Sequence, residues 1–197
     1  MGTQIKGALV VEGDGEVKAV PAIWYYLCGC IPLLDPPYRL DRGRALKPDG
    51  RIKEEEWERV FQLLYRKGAT LVLVLMDADD ICPKAKALAI RTDLNNVITR
   101  LGLSLRIGFC LAEPEYEAWF LAGADFLNLG KPVTGPFPRD CKGKVAERMG
   151  RRYSPTTDQE LLTKQLLPHL DSVAQRAPSL DKLLREIHSL CQCASTF

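Results

Sequence analysis

The stretch Thr70–Met76, TLVLVLM, decides the fold class of this 197-residue chain. It is apolar from Leu71 onward, whereas a strand with one face in water would alternate apolar and polar residues. An unbroken run of this kind is typical of a central parallel strand covered on both faces. Two further apolar runs, Ile5–Val11 and Leu103–Ala112, predict strands, and a short strand is expected near Tyr38–Leu40.

Helical patterns separate these strands. The segment Val20–Leu27 has apolar residues at helical spacing, Lys53–Lys67 is amphipathic, and a helix is expected from Pro83 to about Arg100. Pro21 should lie in the first turn of its helix, where a missing N–H costs little. Strands that alternate with helices predict an α/β fold with a Rossmann-like parallel sheet flanked by helices.

The chain after residue 127 has a different character. Residues 128–140 are rich in Pro and Gly, and helical patterns follow. Thr157 and Glu160 have the spacing of a capping box at a helix start. The last helix has an apolar stripe of Leu180, Leu183, Leu184 and Ile187. We therefore predict an α/β core over residues 1–127 and a helical C-terminal extension over residues 128–197 packed on it.

Composition limits the class of protein. The chain is 46% hydrophobic and 26% charged, as expected of a globular domain, and no apolar run is long enough to cross a bilayer. Seven cysteines, an odd number, without an export signal predict a reducing cytoplasm. We interpret the cysteines as structural thiols rather than zinc ligands.

Acidic residues follow three of the predicted strands. Glu12 comes directly after the first strand, with Glu16 entering the next helix, and Asp77 and Asp79 follow the central strand. Glu117 lies in the acidic segment after the strand that ends at Ala112. Because the carboxyl ends of parallel strands share one edge, these side chains should meet there. Clustered carboxylates repel one another unless a cation neutralises them, and their hard oxygens suit Mg²⁺ or Mn²⁺.

Two of these segments resemble a known signature. VVEGDGE at 10–16 and LVLMDADD at 73–80 look like the motifs of Toprim domains, which occur in topoisomerases, bacterial primases and nucleases related to the overcoming-lysogenization-defect proteins. AEPEYEAWFLAG at 112–123, RRYSPTTDQELLT at 151–163 and APSLDKLLREI at 177–187 are similar to small stand-alone Toprim-like proteins of unknown function. The resemblance covers roughly residues 5–190.

This resemblance implies roles for individual residues. Glu12 would be a metal ligand or general acid/base, and Asp77 and Asp79 the paired metal ligands and catalytic carboxylates. Glu16 and Glu117 would be further ligands, as in the nuclease branch. It also implies an ATPase partner protein in a phage-defence or DNA-maintenance module.

Basic residues concentrate in two segments. Residues 39–53 hold six basic and two acidic side chains, and residues 131–152 hold seven and two. Such clusters can contact a phosphate backbone. The predicted nucleic-acid contacts are Arg42, Arg44, Lys142, Lys144, Arg151 and Arg152. We expect DNA ahead of RNA as the partner.

Three functions fit these patterns. The first is a Mg²⁺-dependent nuclease or nuclease subunit, the second an inactive Toprim-like interaction or regulatory subunit, and the third a small-molecule phosphatase or phosphotransferase. Homo-oligomerisation stays open. Residues 139–190 are expected to complete the wall of the site and to offer a docking surface for a partner. Within their polar stretch from Arg151 to Gln159, Arg152→Ala and Gln159→Ala should leave thermal stability nearly unchanged.

Overall fold

A parallel sheet organises the molecule. The computed structural model describes residues 5–78 and 83–192, and within them the sheet has four strands in the order β2–β1–β3–β4. The strands are β1 Gly7–Val11, β2 Tyr38–Arg39, β3 Leu71–Asp77 and β4 Arg106–Ala112. All neighbouring pairs are parallel. The predicted α/β fold with a Rossmann-like parallel sheet is confirmed.

Helices connect the strands and make up the rest of the described chain. They are α1 Asp14–Cys28, α2 Arg42–Ala45, α3 Glu54–Arg66, α4 Pro83–Arg100, α5 Ala118–Ala122, α6 Cys141–Met149, α7 Glu160–Leu166, α8 Leu170–Ala174 and α9 Pro178–Gln192. A π-helical turn, Pro155–Gln159, leads into α7, and a 3-10 turn, Leu167–His169, links α7 to α8.

Each face of the sheet has its own hydrophobic cluster. On one face, here called the α3/α4 face, Val72 and Val74 of β3 belong to the same cluster as buried residues of α3 and α4. On the other, the α1/α9 face, Leu73 and Leu75 share a cluster with residues of α1, α5, α6, α7 and α9. This alternation along β3 follows from the pleat of a strand. Helices from beyond residue 128 thus cover one face of the sheet.

The start of α1 differs from the prediction. Pro21 lies in the helix interior, because the helix begins at Asp14 rather than near Pro21. The side chain of Glu16 accepts a hydrogen bond from Gly13 N at 2.5 Å, which satisfies a main-chain donor at the helix start. This local bond starts the helix within the Gly-rich turn.

The predicted capping box of Thr157 and Glu160 is also wrong. The chain enters α7 through the π-helical turn, and Asp158 accepts a hydrogen bond from Ser154 N at 2.7 Å. Thr157 instead directs its hydroxyl to the carbonyl of Ser154. The side chain of Asp158 therefore satisfies the main-chain donor of Ser154, and Thr157 lies inside the helical turn that begins at Pro155.

A disulfide joins the two longest elements of the α1/α9 face. Cys28 at the end of α1 is bonded to Cys191 near the end of α9, and their Cα atoms are 6.0 Å apart. This pairing departs from the expectation of unpaired structural thiols, while Cys30, Cys110 and Cys141 are free. Among the described residues, no helix is long and apolar enough to cross a membrane.

Candidate metal and phosphate site

The two central strands end at the position where the strand order reverses. From β1 the chain passes to β2 on one side, whereas β3 lies on the other side and leads to β4. Ligands of open parallel sheets bind at the carboxyl ends of the strands at such a switch point. Glu12 follows β1 and Asp77 ends β3, and Asp77 N donates a hydrogen bond to Glu12 Oε2 at 3.2 Å. The structure thus brings these two predicted site residues together.

Asp77 is held by the loop that follows β4. Its Oδ1 accepts a hydrogen bond from Tyr116 N at 3.0 Å. Burial raises the pKa of Asp77 well above its usual range, and the nearby carboxylates of Glu16 and Glu117 raise it further. A cation at this position would relieve that cost. Asp79, the predicted partner ligand, lies outside the described residues.

Glu16 lies in the first turn of α1 and is 7% exposed. One carboxylate oxygen accepts from Gly13 N, and the other accepts from Gln159 Nε2 at 3.0 Å. Gln159 is fully buried and comes from the π-helical turn before α7. A residue far along the chain therefore orients this predicted ligand.

Glu117 is the most buried carboxylate of the site. It immediately precedes α5 and is fully buried, and its Oε1 accepts a hydrogen bond from the hydroxyl of Tyr153 at 2.9 Å. Its Oε2 has no hydrogen-bond donor among the described residues. Burial raises the pKa of Glu117 to about 7. An unsatisfied buried carboxylate oxygen is costly, and such a group indicates a function beyond stability.

Lys142 faces the carboxylates. Its Nζ lies 3.9 Å from Asp77 Oδ2, Glu115 Oε1 and Glu117 Oε2. Burial alone would lower the pKa of Lys142, but the carboxylates raise it, so the ammonium stays charged. The sequence placed Lys142 among the nucleic-acid contacts and did not associate it with the acidic cluster.

The residues before α7, from Arg151 to Gln159, hold two of the site's carboxylates in place. Arg151 donates to both carboxylate oxygens of Asp158, at 2.7 and 3.0 Å. This bond lowers the pKa of Asp158. The turn that it stabilises carries Gln159 to Glu16, and Tyr153 reaches Glu117. Sequence reasoning singled out this polar stretch, but it had no signal for which side chains point inward.

The other predicted nucleic-acid contacts have varied surroundings. Arg42 donates a hydrogen bond to the carbonyl of Asp77 at 2.9 Å and lies next to the site. Arg44 pairs with Glu56, and Lys144 pairs with Glu147 at 2.6 Å. Arg152 is exposed. Of these four, Arg42 is in direct contact with a residue of the carboxylate cluster.

The carboxylates of the site are the type of ligand that a hard divalent cation prefers. Glu12, Asp77 and Glu117 offer carboxylate oxygens at one edge of the sheet, and Glu117 Oε2 accepts no hydrogen bond within the described part of the chain. Within residues 5–78 and 83–192, no three Asp, Glu, His or Cys side chains are already arranged as a metal site. The ammonium of Lys142 lies near the carboxylate oxygens of Asp77 and Glu117.

Comparisons with known proteins do not identify the chain. No family model matches the sequence, and no curated protein or solved structure is detectably similar to it.

Proposed function

We propose that this protein is a Mg²⁺- or Mn²⁺-dependent phosphodiesterase that acts on nucleic acid, either as a nuclease or as the nuclease subunit of an assembly. One observation carries the proposal: among the described residues, the fully buried Glu117 has a carboxylate oxygen without a hydrogen-bond donor, and it lies near Asp77 at the strand-order switch. A purely structural site has no physical reason to keep such a group.

The side chains divide into ligands and supports. Glu12, Asp77 and Glu117 would hold the cation, and Asp79 and Glu16 are the further predicted ligands. The cation that these residues would hold would supply Lewis-acid chemistry, namely polarisation of a phosphoryl oxygen and activation of water. The supports act on the ligands: Tyr116 N fixes Asp77, Tyr153 fixes Glu117, and Gln159 fixes Glu16.

The basic residues bear on the choice of substrate. Arg42 beside Asp77 and the exposed Arg152 suit contacts with a phosphate backbone. The pairing of Arg44, Lys144 and Arg151 with carboxylates favours the third candidate, a phosphatase or phosphotransferase for small molecules. The Lys144–Glu147 pair is exposed and therefore weak, so a nucleic-acid phosphate could replace Glu147. We therefore keep the nuclease as the first candidate, with DNA ahead of RNA, in the cytoplasm and with an ATPase as the proposed partner.

The test is a set of degradation assays on the purified protein. Plasmid DNA, single-stranded DNA, RNA and p-nitrophenyl phosphate are incubated with Mg²⁺, Mn²⁺ or EDTA. We expect metal-dependent cleavage of a nucleic acid that Asp77→Asn abolishes. Asp49→Asn, which changes an exposed aspartate paired with Arg51, is the matched control and should keep full activity.

Two results would redirect the proposal. Hydrolysis of p-nitrophenyl phosphate without nucleic-acid cleavage would establish the small-molecule function. Absence of all hydrolysis, with no binding of Mn²⁺, would favour the inactive interaction subunit.

A further inference from the structure

The ammonium group of Lys142 is shared among three carboxylates. Its Nζ is 3.9 Å from an oxygen of Asp77, of Glu115 and of Glu117. These distances exceed those of hydrogen bonds, so the charge lies between the three groups and is not bonded to one of them. This is the arrangement of a counter-ion.

Glu117 and Lys142 differ in their exposure to solvent. Glu117 is fully buried, whereas the side chain of Lys142 is 42% exposed. The lysine therefore reaches the carboxylates from the solvent side, on a flexible stem of four carbons. It can withdraw into water without disturbing the core, whereas Glu117 is buried and held by the hydrogen bond from Tyr153.

The main chain of Lys142 is fixed independently of its ammonium. Lys142 N donates a hydrogen bond to Glu115 Oε2 at 3.3 Å, in the first turn of α6. Asp140 caps the same helix by accepting from Gly143 N at 2.7 Å. Rotation of the stem alone can thus move the charge while α6 stays in place.

We propose that Lys142 is a built-in counter-ion of the site, which neutralises the carboxylates in the absence of a divalent cation and withdraws when one binds. The reason is electrostatic, since an ammonium and a divalent cation among the same oxygens repel each other strongly. Lys142 then sets the affinity for the metal. This inference rests on the proposed metal-dependent function. It adds a basic residue, Lys142, that lies outside the acidic motifs and acts through their carboxylates.

Lys142→Met tests the inference, because methionine keeps much of the stem and removes the charge. Lys144→Met is the matched control, since Lys144 lies on the same helix and pairs with Glu147 instead. Mn²⁺ affinity is measured by calorimetry, and Tm is measured in EDTA. We expect Lys142→Met to bind Mn²⁺ at least about tenfold more tightly than the wild type. Its Tm in EDTA should fall by about 4 °C or more, because the carboxylates lose their cation.

The remaining variants and outcomes make the test decisive. Lys142→Arg keeps the charge and should restore the wild-type Tm in EDTA, and Lys144→Met should change neither quantity. If Lys142→Met is insoluble, Lys142→Gln serves for the same comparison. If the wild type binds Mn²⁺ and Lys142→Met binds it equally or more weakly, the counter-ion role of Lys142 is overturned, but the proposed metal site is not. Absence of Mn²⁺ binding in both proteins overturns the proposed metal site, and this inference with it.

Discussion

The two faces of the sheet differ in what they bury. The buried side chains of the α3/α4 face form an apolar cluster. Among the described residues, the buried polar or charged side chains all come from elements of the α1/α9 face or from the segments leading into them. They are Glu16, Glu117, Asp158, Gln159, Thr163, Ser179 and Glu186.

This difference separates stability from chemistry. Apolar burial stabilises a fold by roughly 25 cal/mol per Å² of area removed from water. Buried carboxylates without full hydrogen bonding cost free energy instead. Both faces therefore contribute stability through apolar burial, and among the described residues the α1/α9 face also carries the buried polar groups that cost free energy. Substitutions on one face should change stability alone, and substitutions on the other should change stability and metal binding together.

The largest expected effect is on the α3/α4 face. Phe61 is fully buried and its ring packs against Trp57 with centroids 5.5 Å apart. Phe61→Ala should reduce the free energy of unfolding by about 3–5 kcal/mol and lower Tm by roughly 6–20 °C. Because the ring is on the opposite face from the polar side chains, Mn²⁺ affinity below Tm should stay unchanged.

Leu63→Ala is the control on the same helix. Leu63 is 37% exposed, so its truncation should change Tm much less. Chemical denaturation and calorimetry on the two variants check both parts. A loss of Mn²⁺ affinity in Phe61→Ala would show that the two faces are coupled.

Glu117→Gln should change the free energy of unfolding less than Phe61→Ala does, and it should raise it at neutral to basic pH. Burial raises the pKa of Glu117 to about 7, so the folded protein retains a proton that the unfolded chain releases near pH 4.5. The carboxyl therefore favours folding at low pH, and the protein loses stability as pH rises from about 4.5 to about 7. The loss is on the order of 3 kcal/mol and is complete above pH 7.

Glutamine cannot ionise and removes this loss. In EDTA near pH 8, Glu117→Gln should be more stable than the wild type, and near pH 4.5 the two should agree. Its Mn²⁺ affinity should fall, because a carboxylate ligand is lost. Equal pH dependence of Tm in both proteins would show that Glu117 ionises normally.

The sequence predicted the parts of the fold that depend on local pattern. The stretch Thr70–Met76 is apolar from Leu71 onward, and β3, Leu71–Asp77, lies at the centre of the sheet. Glu12 and Asp77 could be placed because they follow strands, and parallel strands end at one edge. These inferences need only the order of elements along the chain.

The errors and omissions arise from contacts between distant segments or from competing local bonds. Lys142 reaches Asp77 only because α6 packs beside the sheet edge, and no pattern around Lys142 indicates this. Gln159 meets Glu16 across 143 positions of sequence. The capping box was wrong because the helical segment already begins at Pro155, so Thr157 lies inside it and not at its start.

The smallest effect concerns Gln159, a residue of the α1/α9 face that should influence both stability and metal binding. We expected from the sequence that changes in its stretch would leave stability nearly unchanged, but Gln159 is fully buried and donates to Glu16 Oε1. Gln159→Ala should therefore cost about 1–2 kcal/mol of stability and weaken Mn²⁺ binding several-fold. Gln159→Met separates the causes, since it fills the space without the hydrogen bond. If Gln159 orients Glu16, Gln159→Met should regain most of the Tm in EDTA yet bind Mn²⁺ as weakly as Gln159→Ala. Wild-type affinity in Gln159→Met would mean that the side chain contributes packing only.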